Sequence, residues 1–239
     1  MQKPGFRSWD AGAALAEKRK ISLAMVLYYI TERSAFLGDE ANRRRQLMAK
    51  IAEAARADID CIQLRERDLA AGELDSLGWE AVHAVREANP RTKLLLNSRT
   101  DVALSIGADG VHLRGDDIRP QEVTAVRQKA TRNSGLQTRE WLSAVSCHSI
   151  EDVRRAEAEG GSFAVLGPIF GKHAASTVHA LGLEPLKVAC RGKLPVLALG
   201  GVTLENARAC MAAGAAGIAA IRLFQNGPTE EVIRQFRSL

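Results

Sequence analysis

The sequence has no hydrophobic run long enough to cross a membrane and no apolar segment typical of a secretory signal. A membrane-spanning helix needs about 18 or more consecutive apolar residues, and a signal peptide needs a compact apolar stretch after its basic start. The four cysteines lack the paired spacing of a zinc site: Cys61, Cys147, Cys190 and Cys210. We therefore expect a cytoplasmic protein with no membrane partner, in which Cys61, Cys147 and Cys210 are buried thiols.

Aromatic residues are scarce, at 5% of the chain, and no basic stripe with interleaved aromatics is present. Nucleic-acid-binding proteins concentrate lysine and arginine on one face, often beside rings that stack on bases. We therefore expect no nucleic-acid partner. The formal net charge of +5 either attracts anionic substrates or belongs to an ordinary mixed surface, and we favour the second interpretation.

Residues 1–24 have no strand pattern and no long apolar core, and they include a charged cluster at 17–20. Two interpretations stay open. These residues form a disordered or loosely packed N-terminal arm, or the natural start is Met25, directly before a strong strand pattern. We favour the second. In either case the folded domain is expected to span residues 25–239.

From Met25 onward, short apolar runs alternate with longer amphipathic stretches. The predicted strands are 26–31, 60–64, 93–96, 110–113, 142–146, 163–166, 195–199 and 217–221. The predicted helices are 40–56, 71–88, 101–106, 120–130, 150–159, 183–189, 204–213 and 229–237. Nearly continuous apolar strands are typical of parallel sheets covered on both faces, and eight strand–helix units allow closure into a barrel.

We therefore predict a single α/β domain with the (β/α)8 TIM-barrel fold, whose typical length is about 250 residues. An open doubly wound sheet is the alternative. It is disfavoured because no Gly-x-Gly-x-x-Gly pattern follows the first predicted strand.

A glycine pair, Gly200 and Gly201, ends the seventh predicted strand. Glycine lets backbone N–H groups approach an anion closely, and the loops after strands seven and eight of such barrels commonly bind phosphate. The pair therefore predicts a phosphate site, completed by the chain at Ile221 and Arg222. A plain tight turn is the alternative for the glycines, and a surface ion pair is the alternative for Arg222.

Polar residues recur at the ends of the predicted strands, where barrels of this kind carry their chemistry. Arg65 and Arg67 follow the second strand and are most simply grips for phosphate or carboxylate. Either arginine could instead pair with Glu66 or Asp68. Two further residues are expected to orient the substrate through hydrogen bonds: Gln63 and Asn97.

Six motifs fall in the same order and with similar spacing as in the thiamin phosphate synthases and their relatives, the TenI-type thiazole tautomerases. The chain resembles this superfamily over about residues 26–236. The motifs are Gln63-Leu-Arg-Glu-Arg67, Asn97-Ser-Arg-Thr-Asp-Val-Ala103, Gly107-Ala-Asp-Gly-Val-His-Leu113, Val145-Ser-Cys-His148, Gly167-Pro-Ile-Phe170 and Leu199-Gly-Gly-Val-Thr203.

The resemblance implies one of two activities in thiamin biosynthesis. A synthase joins a pyrimidine pyrophosphate to a thiazole phosphate and releases pyrophosphate, with Mg²⁺ held by two aspartates. One aspartate matches Asp117, with Asp116 beside it. The other position holds Ser98, whose hydroxyl is a poorer Mg²⁺ ligand than a carboxylate. The threonine pair that binds pyrophosphate in the synthase pattern is absent, and in the synthase interpretation Lys172 or Ser176 takes over part of that role.

A tautomerase needs only a proton shift beside a carboxylate, and the resemblance implies no cofactor for it. His148 matches the proton-transfer histidine of the family, with Ser146 alongside. A histidine can take and return a proton near neutral pH; a rim histidine that only forms hydrogen bonds is the alternative. Because Ser98 replaces an aspartate, the TenI-like thiazole phosphate carboxylate tautomerase is our leading interpretation and the synthase is the alternative.

A third hypothesis is a non-catalytic barrel that binds a thiamin-related ligand and regulates another process. In every case the expected partner is a phosphorylated small molecule, and the question of a homo-oligomer stays open.

Gly167 is expected to contact the substrate as part of its motif. His112, inside the fourth predicted strand, is interpreted as a structural residue whose hydrogen bonds are satisfied within the protein.

Overall fold

The computed structural model describes residues 25–134, 140–171 and 179–238, so the predicted N-terminal arm lies outside the described residues. Eight strands are present: β1 (Val26–Ile30), β2 (Cys61–Leu64), β3 (Lys93–Asn97), β4 (Gly110–Leu113), β5 (Leu142–Cys147), β6 (Phe163–Leu166), β7 (Val196–Leu199) and β8 (Gly217–Ala220). Each boundary lies within one residue of its prediction. The apolar runs were therefore sufficient to locate every strand of the barrel.

The strands form a closed parallel barrel in sequential order. β8 pairs with β1, with Val26 opposite Gly217, which closes the sheet and removes its free edges. The predicted (β/α)8 fold is confirmed. Because all strands run in the same direction, their carboxyl ends meet at one mouth, which is where barrels of this kind carry their sites.

Helices connect the strands on the outside of the barrel. They are α1 (Glu40–Arg56), α2 (Ala71–Ala88), α3 (Thr100–Ser105), α4 (Pro120–Ser134), α5 (Ile150–Ala158), α6 (Leu183–Ala189), α7 (Leu204–Ala212), α8 (Arg222–Gln225) and α9 (Thr229–Arg237). Two short elements were not predicted: α8 and a 3₁₀ turn at Arg33–Ala35. Both are too short to show a periodic apolar face. None of the described helices has the length and hydropathy needed to cross a bilayer.

Two apolar layers hold the barrel together. The interior of the barrel is filled by one cluster that includes Tyr28, Leu95, Phe163 and Leu197. A larger cluster lies between the outer face of the sheet and the helices. Side chains alternate between these layers with a period of two along each strand, so the parity of a residue decides whether it faces the barrel interior.

Candidate active site at the carboxyl end of the barrel

The interior parity brings several of the predicted site residues together. Cys61, Leu95, Ala144 and Val165 belong to the interior cluster, and the side chains two residues further along each strand face the same side. The residues at these positions lie at the carboxyl ends of β2, β3, β5 and β6, around the mouth of the barrel: Gln63, Asn97, Ser146 and Gly167, of which Gly167 contributes only backbone.

Gln63 and Asn97 are linked across neighbouring strands. The buried Gln63 amide donates from Nε2 to Oδ1 of Asn97 at 2.9 Å, and Asn97 Nδ2 donates to the Ser98 hydroxyl at 3.1 Å. Each amide keeps one further N–H for another partner. The pair is therefore held in a fixed orientation, as the predicted orienting role requires.

The acidic residues after β2 are bound to Arg33. The guanidinium of Arg33 lies 3.3 Å from Glu66 Oε2 and 2.8 Å from Asp68 Oδ2. Glu66 also accepts hydrogen bonds from the Thr31 hydroxyl at 2.6 Å and the Arg33 N–H at 2.9 Å. Arg33 thus lies inside a carboxylate cluster, a role that the sequence did not reveal.

This carboxylate cluster bears on the alternative that Arg65 or Arg67 pairs with Glu66 or Asp68 instead of binding an anion. In the described part of the chain, neither Arg65 nor Arg67 forms an ion pair, because Glu66 and Asp68 are bound to Arg33. Arg65 is half-buried, and burial together with the nearby Arg67 charge lowers its pKa. Two neighbouring cations without a partner form a strong attraction for an anion.

His148 has a defined tautomer at the end of β5. Its Nδ1 lies 2.9 Å from the carbonyl oxygen of Gly167. A carbonyl only accepts, so Nδ1 carries the proton and donates. In the neutral ring Nε2 then has a free lone pair. The backbone of His148 is held by a hydrogen bond to Asp152 Oδ2 at 3.0 Å, so the ring has the arrangement of a base whose reacting nitrogen is available.

His112 is buried and hydrogen bonded through both ring nitrogens, as expected for a satisfied structural residue. Nδ1 lies 3.0 Å from the Tyr28 hydroxyl and Nε2 lies 2.7 Å from the Ser146 hydroxyl. The second partner is one of the predicted site residues. Burial, aided by the charge of Arg65, lowers the pKa of His112 to about 3, so the ring is neutral near pH 7.

The glycine pair packs tightly against the loop after β6. Gly200 and Gly201 have φ of +90° and +65°, which L side chains rarely adopt. A Cβ on Gly200 would lie 2.7 Å from Cβ of Pro168, and one on Gly201 would lie 2.7 Å from Cβ of Phe170. Conformation and packing therefore both require glycine here, whether or not an anion binds.

The predicted phosphate site has its donors at the ends of β7 and β8, which are paired strands. The exposed Arg222 begins α8, directly after Ile221. Within the described residues, no acceptor is bound to the N–H groups of Gly201 and Arg222, and Arg222 has no ion-pair partner there. The alternative of a surface ion pair for Arg222 thus has no support in the described structure.

Asp117 lies beside Ser98 in a cleft of about 450 Å³ between α3 and α4. Burial alone would raise the pKa of Asp117. Hydrogen bonds from the Arg114 N–H, the Ser98 hydroxyl and the Arg114 guanidinium outweigh burial and hold that pKa below its usual value. Asp117 is therefore an ionised carboxylate. Asp116 is exposed next to it and also faces Arg114, at 3.5 Å.

The described residues contain no cluster of three His, Cys, Asp or Glu side chains able to hold a metal. Such a cluster is not needed for Mg²⁺, which proteins usually bind through one or two carboxylates together with substrate phosphates and water. Asp117 and Asp116 are two neighbouring carboxylates at this cleft, and both lie against Arg114. Lys172 and Ser176 lie outside the described residues, so their predicted role at pyrophosphate stays a prediction.

The comparisons with known proteins agree on one family. A family model described as thiamine monophosphate synthase matches residues 27–224. A "Putative thiamine-phosphate synthase 2" of Aquifex aeolicus is 34% identical over 201 residues, which cover 83% of this chain and 96% of that protein. A "Thiamine-phosphate synthase" of Roseiflexus sp. is 33% identical over 208 residues, covering 86% and 80% of the two chains.

A solved structure gives the same result. The thiamine phosphate pyrophosphorylase from Pyrococcus furiosus superposes with a TM-score of 0.71 and 25% sequence identity. The superposition covers 90% of this chain and 94% of that one. The sequence relatives and this structural neighbour bear the names of enzymes rather than of regulators or binding proteins.

Proposed function

The chain belongs to the thiamine monophosphate synthase family, and from this premise we propose that it is a thiamine-phosphate synthase. The observation that carries the proposal is the pair Arg65 and Arg67, which follow β2 at the carboxyl end of the barrel and form no ion pair among the described residues, since Arg33 binds the acidic neighbours. The names of the relatives also support the synthase over the tautomerase that the sequence motifs led us to favour.

The reaction exchanges one bond for another. The bond between the pyrimidine methylene carbon and the pyrophosphate oxygen breaks, and its electron pair leaves with pyrophosphate. The lone pair of the thiazole nitrogen forms the new carbon–nitrogen bond. Negative charge therefore accumulates on the leaving group, and fixed cations and N–H donors at that point lower the barrier. The protein must also hold the two substrates in line with each other.

We assign the two anionic groups to opposite sides of the mouth. Arg65 and Arg67, after β2, bind the pyrophosphate. The N–H groups around Gly200 and Gly201, together with those at the start of α8, bind the phosphate of the thiazole, as barrels of this fold commonly do. Three further residues orient the reacting groups between these sites: Gln63, Asn97 and Gly167.

Asp117, with Asp116 beside it, would hold Mg²⁺. The fit rests on the ionised Asp117 carboxylate at the edge of the open cleft. The ion would neutralise charge on the leaving pyrophosphate. Ser98 leaves this site with fewer carboxylates than the synthase pattern has, so we expect the phosphates of the substrate to provide a large share of the ligands.

The test is formation of thiamine phosphate by the purified protein from the pyrimidine pyrophosphate, the thiazole phosphate and Mg²⁺. Product that disappears with EDTA and returns with added Mg²⁺ is the expected result. Arg65→Ala should remove most of the product at limiting substrate. No product, beside a synthase that works in the same buffer, would refute the proposal.

A second candidate, the TenI-like tautomerase, is favoured by a specific observation. The Gly167 carbonyl holds the proton of His148 on Nδ1, so Nε2 is free to take and return a proton, with Ser146 alongside. Ser98 also replaces one carboxylate of the synthase pattern. This chemistry needs no metal.

His148→Ala separates the two candidates. In a tautomerase the variant should lose turnover of the thiazole phosphate carboxylate while still binding it, because the proton carrier is gone. In a synthase it should retain metal-dependent product, because no step in the bond exchange requires a base at this position. Turnover of the carboxylate in the wild-type protein without metal, lost in His148→Ala, would make the tautomerase the better assignment.

A further inference from the structure

Three residues form a continuous chain of hydrogen bonds across the barrel interior. Tyr28 on β1 bonds to Nδ1 of His112 on β4, and Nε2 of the same ring bonds to Ser146 on β5. Tyr28 and His112 are buried, and their rings stack with centroids 5.8 Å apart. Only Ser146 reaches the mouth of the barrel, so the chain connects a buried hydroxyl to the candidate site.

Tyr28 decides which nitrogen of His112 accepts. Its hydroxyl is fully buried, and burial raises its pKa well above the usual value, so it keeps its proton. The acceptor that the structure gives this proton is Nδ1 of His112. Leaving a buried O–H without an acceptor costs roughly 1–3 kcal/mol. The favoured arrangement therefore has Tyr28 donating to an unprotonated Nδ1.

The proton of the neutral imidazole is then on Nε2. Burial and the Arg65 charge keep the ring neutral, and a neutral imidazole has one N–H group. This N–H points at the Ser146 hydroxyl oxygen, 2.7 Å away. Ser146 therefore accepts from His112, and its own proton is directed elsewhere.

Because His112 donates this hydrogen bond to Ser146, the pair cannot work as a serine nucleophile activated by a histidine base. A histidine that activates a serine nucleophile must accept the proton of the hydroxyl. Here Nε2 already carries a proton, so His112 cannot act as that base. A serine that accepts from a fixed N–H and retains its own proton is instead a hydrogen-bond donor to a third group.

We propose that His112, fixed by Tyr28, is a positioning residue that holds Ser146 as a hydrogen-bond donor to an anionic oxygen of the bound substrate. The proposal rests on the proposed function for the identity of that substrate. Its anionic class follows from Arg65, whose unpaired charge lies close enough to act on the same ring. An anion that neutralises Arg65 reaches the part of the mouth that Ser146 faces.

The tautomer can be measured without any substrate. In protein labelled with ¹⁵N-histidine, the NMR signals of His112 should show a proton on Nε2 and none on Nδ1. Assignment comes from comparison with His112→Gln. In Tyr28→Phe the donor to Nδ1 is gone, and the proton should move wholly or partly to Nδ1. A wild-type ring with its proton on Nδ1 would overturn the proposal.

The functional consequence can be measured by binding of inorganic pyrophosphate in the presence of Mg²⁺, by calorimetry. Ser146→Ala should weaken binding about tenfold or more, as expected for a lost hydrogen bond to a charged group. Tyr28→Phe should also weaken it, but the double variant should bind no worse than Ser146→Ala alone, because both changes remove the same donor. Fully additive losses would contradict the proposal.

The neighbouring tyrosine provides a matched control. The Tyr29 hydroxyl is also buried and donates at 3.0 Å to Oε1 of Gln225 in α8, outside the barrel interior. Tyr29→Phe removes the same group and should be additive with Ser146→Ala. Thermal unfolding of all variants shows whether the two Tyr→Phe changes cost similar stability, so that a folding defect is recognised as such.

A rescue variant separates positioning from packing. His112→Gln keeps an N–H near the position of Nε2 and should retain most of the pyrophosphate affinity, whereas His112→Leu fills similar space and should lose it. Equal losses in the two variants would indicate a packing role and overturn the proposal. If the tautomer and coupling are as expected but no thiamine phosphate is formed, only the proposed function fails.

Discussion

The two ends of the barrel differ in whether their arginines are paired within the protein. At the amino end, Arg237 donates to the carbonyl of Asp58 at 2.9 Å and to the Asp60 carboxylate at 2.8 Å. The same Asp60 oxygen accepts from the Leu27 N–H at 2.8 Å. Each of these groups finds its partner within the chain, and the contacts join α9 to the starts of two strands.

At the carboxyl end, two arginines have no ion pair among the described residues, although acidic residues are adjacent to them in the sequence. Glu66 and Asp68 are bound to Arg33 instead. A half-buried charge without a partner is unfavourable for the folded protein alone. Arg237 at the amino end therefore contributes to the fold through partners within the chain, whereas Arg65 and Arg67 at the mouth form no ion pair among the described residues and, in our proposal, are available to a ligand.

The largest expected effect is on binding at the mouth. Arg65→Ala should weaken binding of the pyrophosphate substrate by about 1.5–3 kcal/mol, the range for a hydrogen bond to a charged group. The free energy of unfolding should change little, because no ion pair is lost. Calorimetric binding and denaturant unfolding measure the two quantities. Full affinity in this variant would show that the anion lies elsewhere.

A substitution at the amino end should have the opposite effect, a loss of stability without a loss of binding or activity. Arg237→Ala removes hydrogen bonds that connect α9 to the start of β1 and the loop before β2. We expect a loss of unfolding free energy of about 1–2 kcal/mol, discounted because the pair is partly exposed. The kcat/KM at a temperature well below unfolding should be unchanged. A catalytic defect without a loss of stability would break the comparison.

A third test compares two glycines with positive φ. Gly201→Ala places a Cβ 2.7 Å from Phe170 at the mouth, whereas Gly214→Ala, at the amino end, places one 3.1 Å from Cβ of Cys190. Both should lose about 1–2 kcal/mol of stability through backbone strain, and Gly201→Ala should lose more, because its Cβ would also lie 2.8 Å from the Phe170 carbonyl oxygen. Only Gly201→Ala should also weaken binding of the thiazole phosphate. Equal affinity of the two variants would mean that the glycine pair serves the turn alone.

The smallest expected effect concerns the carboxylate that the synthase pattern has and this chain lacks. Ser98 has φ of +61°, a conformation that aspartate tolerates better than most residues. Ser98→Asp should destabilise the protein without metal by about 1 kcal/mol, through repulsion with Asp117. Added Mg²⁺ should restore this loss and support product formation at lower Mg²⁺ concentration. Melting temperatures with and without Mg²⁺ measure the effect.

A surface serine gives the control for this substitution. Ser105 donates to Asp75 at 2.9 Å on the outside of the barrel, so Ser105→Asp creates a similar pair of carboxylates away from the mouth. It should not alter the Mg²⁺ dependence of product formation. If both variants change that dependence equally, the effect is not specific to the site at Asp117.

The side-chain alternation of the strands explains which site residues could be predicted from the sequence. Gln63, Asn97 and Ser146 were identified because polar residues at the ends of apolar strands are not needed for packing, and parity then places them on the interior face. The ion pairs of Arg33 could not be predicted in this way. Its three carboxylate partners are Glu40, Glu66 and Asp68, which lie 7, 33 and 35 residues away in the sequence, and spacing alone does not show which of them it binds.

The sequence by itself determined the eight strands, their order and the end of the barrel at which polar residues collect, because hydrophobic periodicity is a local property of the chain. It also determined the family, through motifs that retain their order. Only the tertiary structure decided which arginines are bound within the protein and which are left for a ligand. It alone oriented the protons of His112 and His148. Both depend on hydrogen-bond partners that sequence spacing does not specify, since they come from different strands and meet only when the barrel closes.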